Sequence, residues 1–85
     1  MLDSARADDL ISDMAREFAP GLPSDEAHAR GANLQDAGLT SIATVKLMLA
    51  IEAAYDIAIP DADLTPENFR SIGAIEALVA RLRRA

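Results

Sequence analysis

The chain has 85 residues, no cysteine and a formal net charge of −6. That length suggests one domain over residues 1–85, and the missing thiol excludes a disulfide scaffold, a thiolate metal site and thiol chemistry from the polypeptide itself. The acidic excess argues against duplex DNA or RNA as a partner and favours basic protein surfaces. No apolar run reaches membrane-span length and MLDSARADDL lacks the pattern of a secretory signal, so the expected setting is the cytoplasm.

The spacing predicts a first helix from Asp3 to Phe18. Leu10 or Ile11, Met14 and Phe18 form its apolar stripe, and Asp3, Asp8 and Asp9 lie toward its positive end. APGLPS, residues 19–24, ends it with two prolines and a glycine. Residues 20–40 then read as a connection longer than compact domains favour. Leu22, Leu34 and Leu39 are candidates to pin it across the core, with a short helical turn around Glu26 to Arg30.

A second long helix starts near Thr40 or Ser41 and continues to Tyr55. It is apolar around its girth, with Lys46 and Glu52 its only charges. Val45, Leu49 and Ala53, with Ile42 a turn earlier, mark one stripe for the core. Leu47 or Met48 would be left for a partner or for the long loop to cover.

DIAIPD, residues 56–61, reads as an extended connector with Ile57 or Ile59 turned inward. In LTPENF, residues 64–69, Thr65 can cap, Pro66 suits the first helical position and Glu67 favours the positive end, so a short helix is expected. Ser71 can cap a final helix with Ile72, Ile75, Val79 and Leu82 as its stripe. Gly73 is a candidate for a close contact there, and Arg81, Arg83 and Arg84 complement the helix's negative end. The sum is a small acidic all-α bundle of three main helices and one short one.

Candidate chemistry is sparse. Ser41 precedes an apolar helix, where capping is the ordinary role of a serine. A nucleophilic serine needs a base held by a third group. The sole histidine, His28, lies in the polar stretch SDEAHARG, and a triad with Asp25 or Asp36 would have no evident pocket. Asp56, Asp61 and Asp63 do not have EF-hand spacing and read as solvated connector acids. No glycine-rich phosphate loop occurs.

One stretch, DAGLTSIATVKLMLAIEAAYDIAIPDADL at residues 36–64, resembles the acyl carrier protein family. Gly38 and Leu39 match the family's approach to its Asp-Ser-Leu motif. Thr40 stands at the aspartate and Ile42 at the leucine. Ser41 stands where the family receives 4′-phosphopantetheine. Val45, Leu47 and Met48 follow the helix pattern, Ile51 and Glu52 match a Leu-Glu pair, Tyr55 fits the aromatic, and IAIP at 57–60 fits the connector. The resemblance implies a small four-helix bundle of acyl-carrier type with a long first loop and a short third helix. It also accounts for the long connection.

The same resemblance implies a carrier and not an enzyme, with no catalytic residues and no metal ligands. A phosphopantetheinyl transferase would move the arm of coenzyme A onto Ser41 Oγ, beside unpaired backbone N–H groups at a helix start. The arm's thiol would then hold cargo as a thioester, which a chain without cysteine cannot do alone.

Two departures from fatty-acid carriers narrow the expectation. Thr40 removes the acid before the serine, and Lys46 stands amid aliphatics where such carriers are strongly acidic. Together with LTPENFRSI at 64–72, this is similar to the stand-alone aminoacyl carrier proteins. Those receive an amino acid, with glycine and alanine the candidates, from an ATP-dependent ligase resembling a class II aminoacyl-tRNA synthetase, and present it to a downstream enzyme. The alternatives are a specialised acyl carrier of fatty-acid or polyketide type and a non-covalent helical adaptor. A monomer is the simplest expectation.

Overall fold

The structure is a computed structural model that describes residues 3–84, with side chains from Leu10 onward. In chain order it contains α1 (Asp3–Phe18), α2 (Glu26–Gly31), α3 (Ser41–Tyr55), a single 3-10 turn at Asp61–Asp63, and α4 (Ile72–Arg84). The fold is all-α, with four helices and no strand among the described residues. Helix α1 packs against α3 and α4, and α2 packs against α4.

Helix α1 buries Ile11, Met14 and Ala15, whose spacing places them on one face. Leu10 is 40% exposed, so Ile11 is the residue that fills the stripe. The side chains of Asp3, Asp8 and Asp9, expected at the positive end, lie outside the described residues.

The long connection is held at both of its ends and in its middle. Gly21 N–H donates to the Ala37 carbonyl at 2.8 Å. A Cβ on Gly21 would sit 2.9 Å from that oxygen, so only glycine allows this approach. Ser12 Oγ donates to Glu26 at 2.5 Å, and Arg16 Nη2 donates to the same carboxylate at 3.1 Å. These fasten the start of α2 to α1. Arg30 then grips Glu76 of α4 with both terminal guanidinium nitrogens, Nη1 and Nη2. Leu34 and Leu39 are buried, as the sequence suggests, and Leu22 is half-buried.

Helix α3 is turned the opposite way from the expectation. Leu47 and Ile51 are fully buried, whereas Ile42, Val45 and Leu49 are 71%, 42% and 54% exposed. A helix apolar on every side carries no stripe, so periodicity does not specify its rotation. The ends specify it instead. Thr40 fixes the first turn by accepting from Ala43 N–H at 3.1 Å. At the other end Glu52 Oε2 accepts from Ile59 N–H at 2.7 Å, tying the helix to the connector that buries Ile59. Asp56 closes the helix in the left-handed region, with φ 54°.

The short third helix reduces to two consecutive turns. The 3-10 turn at Asp61–Asp63 is succeeded by a turn over residues 65–69, in which Phe69 N–H donates to Thr65 O at 3.2 Å. Thr65 does cap, accepting from Asn68 N–H at 3.2 Å. Continuation is prevented because Ser71 caps α4 two residues after fully buried Phe69, through Ala74 N–H at 3.1 Å. On α4, Ile72, Ile75 and Val79 face inward as expected, Leu82 is half-buried, and Leu78 joins the core unanticipated. Gly73 lies beside the Arg30 carbonyl, but a Cβ there would meet it at an ordinary 3.7 Å. The close contact expected at Gly73 is found at Gly21.

Candidate functional site

The site begins with which hydroxyl caps α3. The sequence is compatible with either Thr40 or Ser41. Thr40 has extended backbone angles (φ −77°, ψ 171°) and its Oγ1 accepts from Ala43 N–H, so Thr40 is the cap. Ser41 is the first helical residue and is exposed. Among the described residues its Oγ has no hydrogen-bond partner. The capping task has been taken by the neighbour, and the serine hydroxyl is left to solvent.

The electrostatics around that hydroxyl favour an anion. The N–H groups of Ser41 and Ile42 precede the first intrahelical hydrogen bond, in which Thr44 N–H donates to Thr40 O at 2.8 Å. No acidic residue lies in the first turn of α3. Partial positive charge at the helix start is therefore unopposed locally.

Ser41 also lines a pocket of about 310 Å³ between the start of α3 and the turns after the connector. Its apolar wall is Leu39, Val45, Leu64, Pro66 and Phe69. Gln35, Thr44 and Thr65 supply its other polar groups, and none of the lining residues is ionisable. A phosphodiester-linked arm fits this arrangement: an exposed hydroxyl for the linkage, free N–H groups for the phosphate, and a neutral amphipathic recess for the chain beyond it.

The rival sites fare differently. His28 is in α2, exposed, with its Nδ1 2.5 Å from Asp25 Oδ2, and no histidine or carboxylate lines the Ser41 pocket. The pairing with Asp25 is thus a local contact at the α2 cap, and Asp36 takes no part in it. Asp61 and Asp63 belong to the 3-10 turn, and no group of three metal-ligating side chains occurs among the described residues. No helix there is long and apolar enough to cross a membrane. Arg30 is engaged by Glu76, while Arg70 is exposed.

A family model for the phosphopantetheine attachment site matches residues 21–79. The chain belongs to that family. Such carriers bear 4′-phosphopantetheine, which is the arm the recess and the free N–H groups fit.

The relatives sharpen the placement. Over 48 residues the chain is 50% identical to aminoacyl carrier protein 1 of Bradyrhizobium diazoefficiens, a match covering 56% of this chain and 53% of that one. Aminoacyl carrier protein of Agrobacterium fabrum is 54% identical over 48 residues, covering 56% and 58%. These matches thus span little more than half the length of the curated relatives. Whole-chain likeness comes from solved structures. A chain in the crystal structure of an engineered Bradyrhizobium japonicum glycine:[carrier protein] ligase, complexed with carrier protein from Agrobacterium tumefaciens and ATP, superposes with TM-score 0.72 at 41% identity. It covers 87% of this chain and 96% of that one. A chain in the complex of the Bradyrhizobium japonicum ligase with its cognate carrier protein and a glycyl adenylate analogue gives 0.65 at 37%, covering 89% and 94%. Mutual coverage this high identifies the matched chains as the carriers, not the ligases.

Sequence reasoning singles out Ser41 but misses the pocket. Gln35 enters from the long loop, Thr44 from α3 and Thr65 from the turns, and nothing in their spacing links them. Leu39, expected in the core, is core and pocket lining together.

Proposed function

We propose that residues 1–85 form one carrier domain, that Ser41 Oγ is its attachment point, and that it carries an activated amino acid to partner enzymes. The observation that carries this reading is the likeness, over nearly their whole length, to carriers solved with a glycine:[carrier protein] ligase. Glycine is accordingly the first candidate cargo and alanine the second. The chain itself is acted upon and catalyses nothing.

This role needs three partners: a phosphopantetheinyl transferase, an ATP-dependent amino acid ligase, and a downstream acceptor enzyme. In the first encounter Ser41 Oγ attacks the coenzyme A phosphorus that bears the pantetheine. The bond to 3′,5′-adenosine diphosphate breaks, and the serine proton passes to a base on the transferase. The free Ser41 and Ile42 N–H groups receive the resulting phosphodiester. When bound, the arm supplies a terminal thiol for thioester linkage and raises the local concentration of cargo at a docked active site. Cytoplasmic residence suits a protein that needs coenzyme A and ATP-dependent loading.

The ligase would meet an unusual face. Ile42, Val45 and Leu49 are exposed immediately beyond Ser41, and Lys46 is exposed among them. Glu52, the other charge on α3, is engaged with Ile59 N–H. A partner that reads acidic side chains finds none free along this face, which favours an apolar contact. The test is thioester formation on the modified protein. Incubation with a glycine-activating ligase, ATP and glycine is expected to load it, whereas fatty-acid synthase components are not. Loading only by the fatty-acid components would overturn the aminoacyl assignment.

A further inference from the structure

We infer that Lys46 is an acylation site, at which the carrier captures its own undelivered cargo as an amide on Nζ. The inference rests on the proposed loading of an arm at Ser41. Its independent basis is the scarcity and placement of amines in this chain.

Lys46 is the only lysine, and every other basic side chain is an arginine or the single His28. A guanidinium keeps its proton and is no nucleophile, whereas a lysine amine becomes one once it gives up its proton. An acyl group on the imidazole of His28 would remain activated, so that side chain is no end point. Among side chains, an activated acyl group therefore meets one amine with which it forms a stable product.

That amine lies close to the root of the arm. Lys46 is five residues beyond Ser41, about 7.5 Å along a helix axis. Leu47 and Ile51 turn the opposite side of α3 into the core, so Ser41, Ile42, Val45, Lys46 and Leu49 share one solvent-facing arc. Among the described residues Lys46 Nζ has no hydrogen bond or ion pair. No acid lies in the first turn of α3, and Glu52 is turned to Ile59 N–H. Nothing described holds the amine away from the arm. A flexible arm anchored this near would keep its thioester at an effective concentration on the order of millimolar about it.

The step balances without a further reactant. The Nζ lone pair attacks the thioester carbonyl, the C–S bond breaks, and the amine's proton ends on the departing thiolate. The products are a glycyl amide on Lys46 and an arm with its thiol restored. The ammonium of a loaded glycine draws electron density from the carbonyl and quickens the attack. An enzyme docked over Ile42, Val45 and Leu49 would cover Lys46 as well, which confines capture to the undocked carrier.

The experiment loads the full chain with glycyl-coenzyme A and a phosphopantetheinyl transferase, which needs no ligase contact at Lys46. Intact mass is followed with and without hydroxylamine, which cleaves thioesters and spares amides. A resistant gain of one glycyl group is expected to grow at a fractional rate independent of protein concentration, and peptide mapping to place it at Lys46. Lys46→Arg is expected to lose that gain and to keep its thioester longer. No resistant gain by the time the thioester has hydrolysed, a gain mapped elsewhere, an equal gain in Lys46→Arg, or a fractional rate proportional to protein concentration would each overturn the inference. Absence of any arm mass, with coenzyme A itself as well, would instead refute attachment at Ser41, so the two failures are distinguishable.

Discussion

At the residue scale, the division of labour between Thr40 and Ser41 explains how a helix start can be capped and still leave a hydroxyl to solvent. Thr40 Oγ1 satisfies Ala43 N–H, so Ser41 is not needed as a cap. Thr40→Ala should therefore destabilise the fold by about 1 kcal/mol, within the range typical of lost caps, while Ser41→Ala should leave the melting temperature nearly unchanged. Urea denaturation of the two variants checks this. A second residue-scale prediction concerns Glu26. The Ser12 hydroxyl first, and then the Arg16 guanidinium, hold its carboxyl below the ordinary carboxylate range. A carboxylate depressed in the folded state adds stability at neutral pH that is lost as pH falls through its folded value. Melting temperature should therefore decline on acidification more steeply for the natural chain than for Glu26→Gln. The difference is small because the carboxylate is exposed.

At the scale of the element, α3 shows what sequence can and cannot fix. Its existence, its start within one residue and its end at Tyr55 are legible, because a cap precedes a dense apolar run and Asp56 opens a connector with a proline after it. Its rotation is not legible. An apolar residue at every angle leaves the choice of buried face to contacts remote in sequence, here the Glu52–Ile59 link and the packing on α1. The consequence is measurable: Leu47→Ala should cost about 2–5 kcal/mol as a core truncation, and Leu49→Ala less than about 1 kcal/mol. Comparable losses at both positions would contradict the rotation. The short third helix departs from expectation for a related reason. Thr65, Pro66 and Glu67 form a sound helix start, but a start does not set length, and burial of Phe69 with the cap at Ser71 ends it after one turn.

At the scale of the molecule, the long loop is a built part of the fold. Arg16, Ser12 and Glu26 join it to α1, Arg30 and Glu76 join it to α4, and Gly21 closes it against Ala37. Its length is readable in the sequence and its anchoring is not, because ion pairs between helices leave no periodic trace. Gly21→Ala would bring a Cβ to 2.9 Å from the Ala37 carbonyl, and backbone on both sides must shift. A loss of about 1–3 kcal/mol is expected, read by chemical denaturation. In a chain of this size that is a substantial share of total stability. The loop matters to function as well, since it carries Gln35 and Leu39 to the pocket beside Ser41.

The serine at the centre of this arrangement is legible through family resemblance and not through spacing, because one exposed hydroxyl at a helix start has no distinguishing signature of its own. The structure adds the reason it is available: a neighbour that does the capping, free N–H groups and an uncharged recess. The most direct measurement is the intact mass of the natural chain and of Ser41→Ala after incubation with coenzyme A and a phosphopantetheinyl transferase. The natural chain should gain the mass of one phosphopantetheine and the variant none. An equal gain by the variant, or no gain by the natural chain with any of several transferases, would contradict attachment at Ser41 and the carrier function built on it.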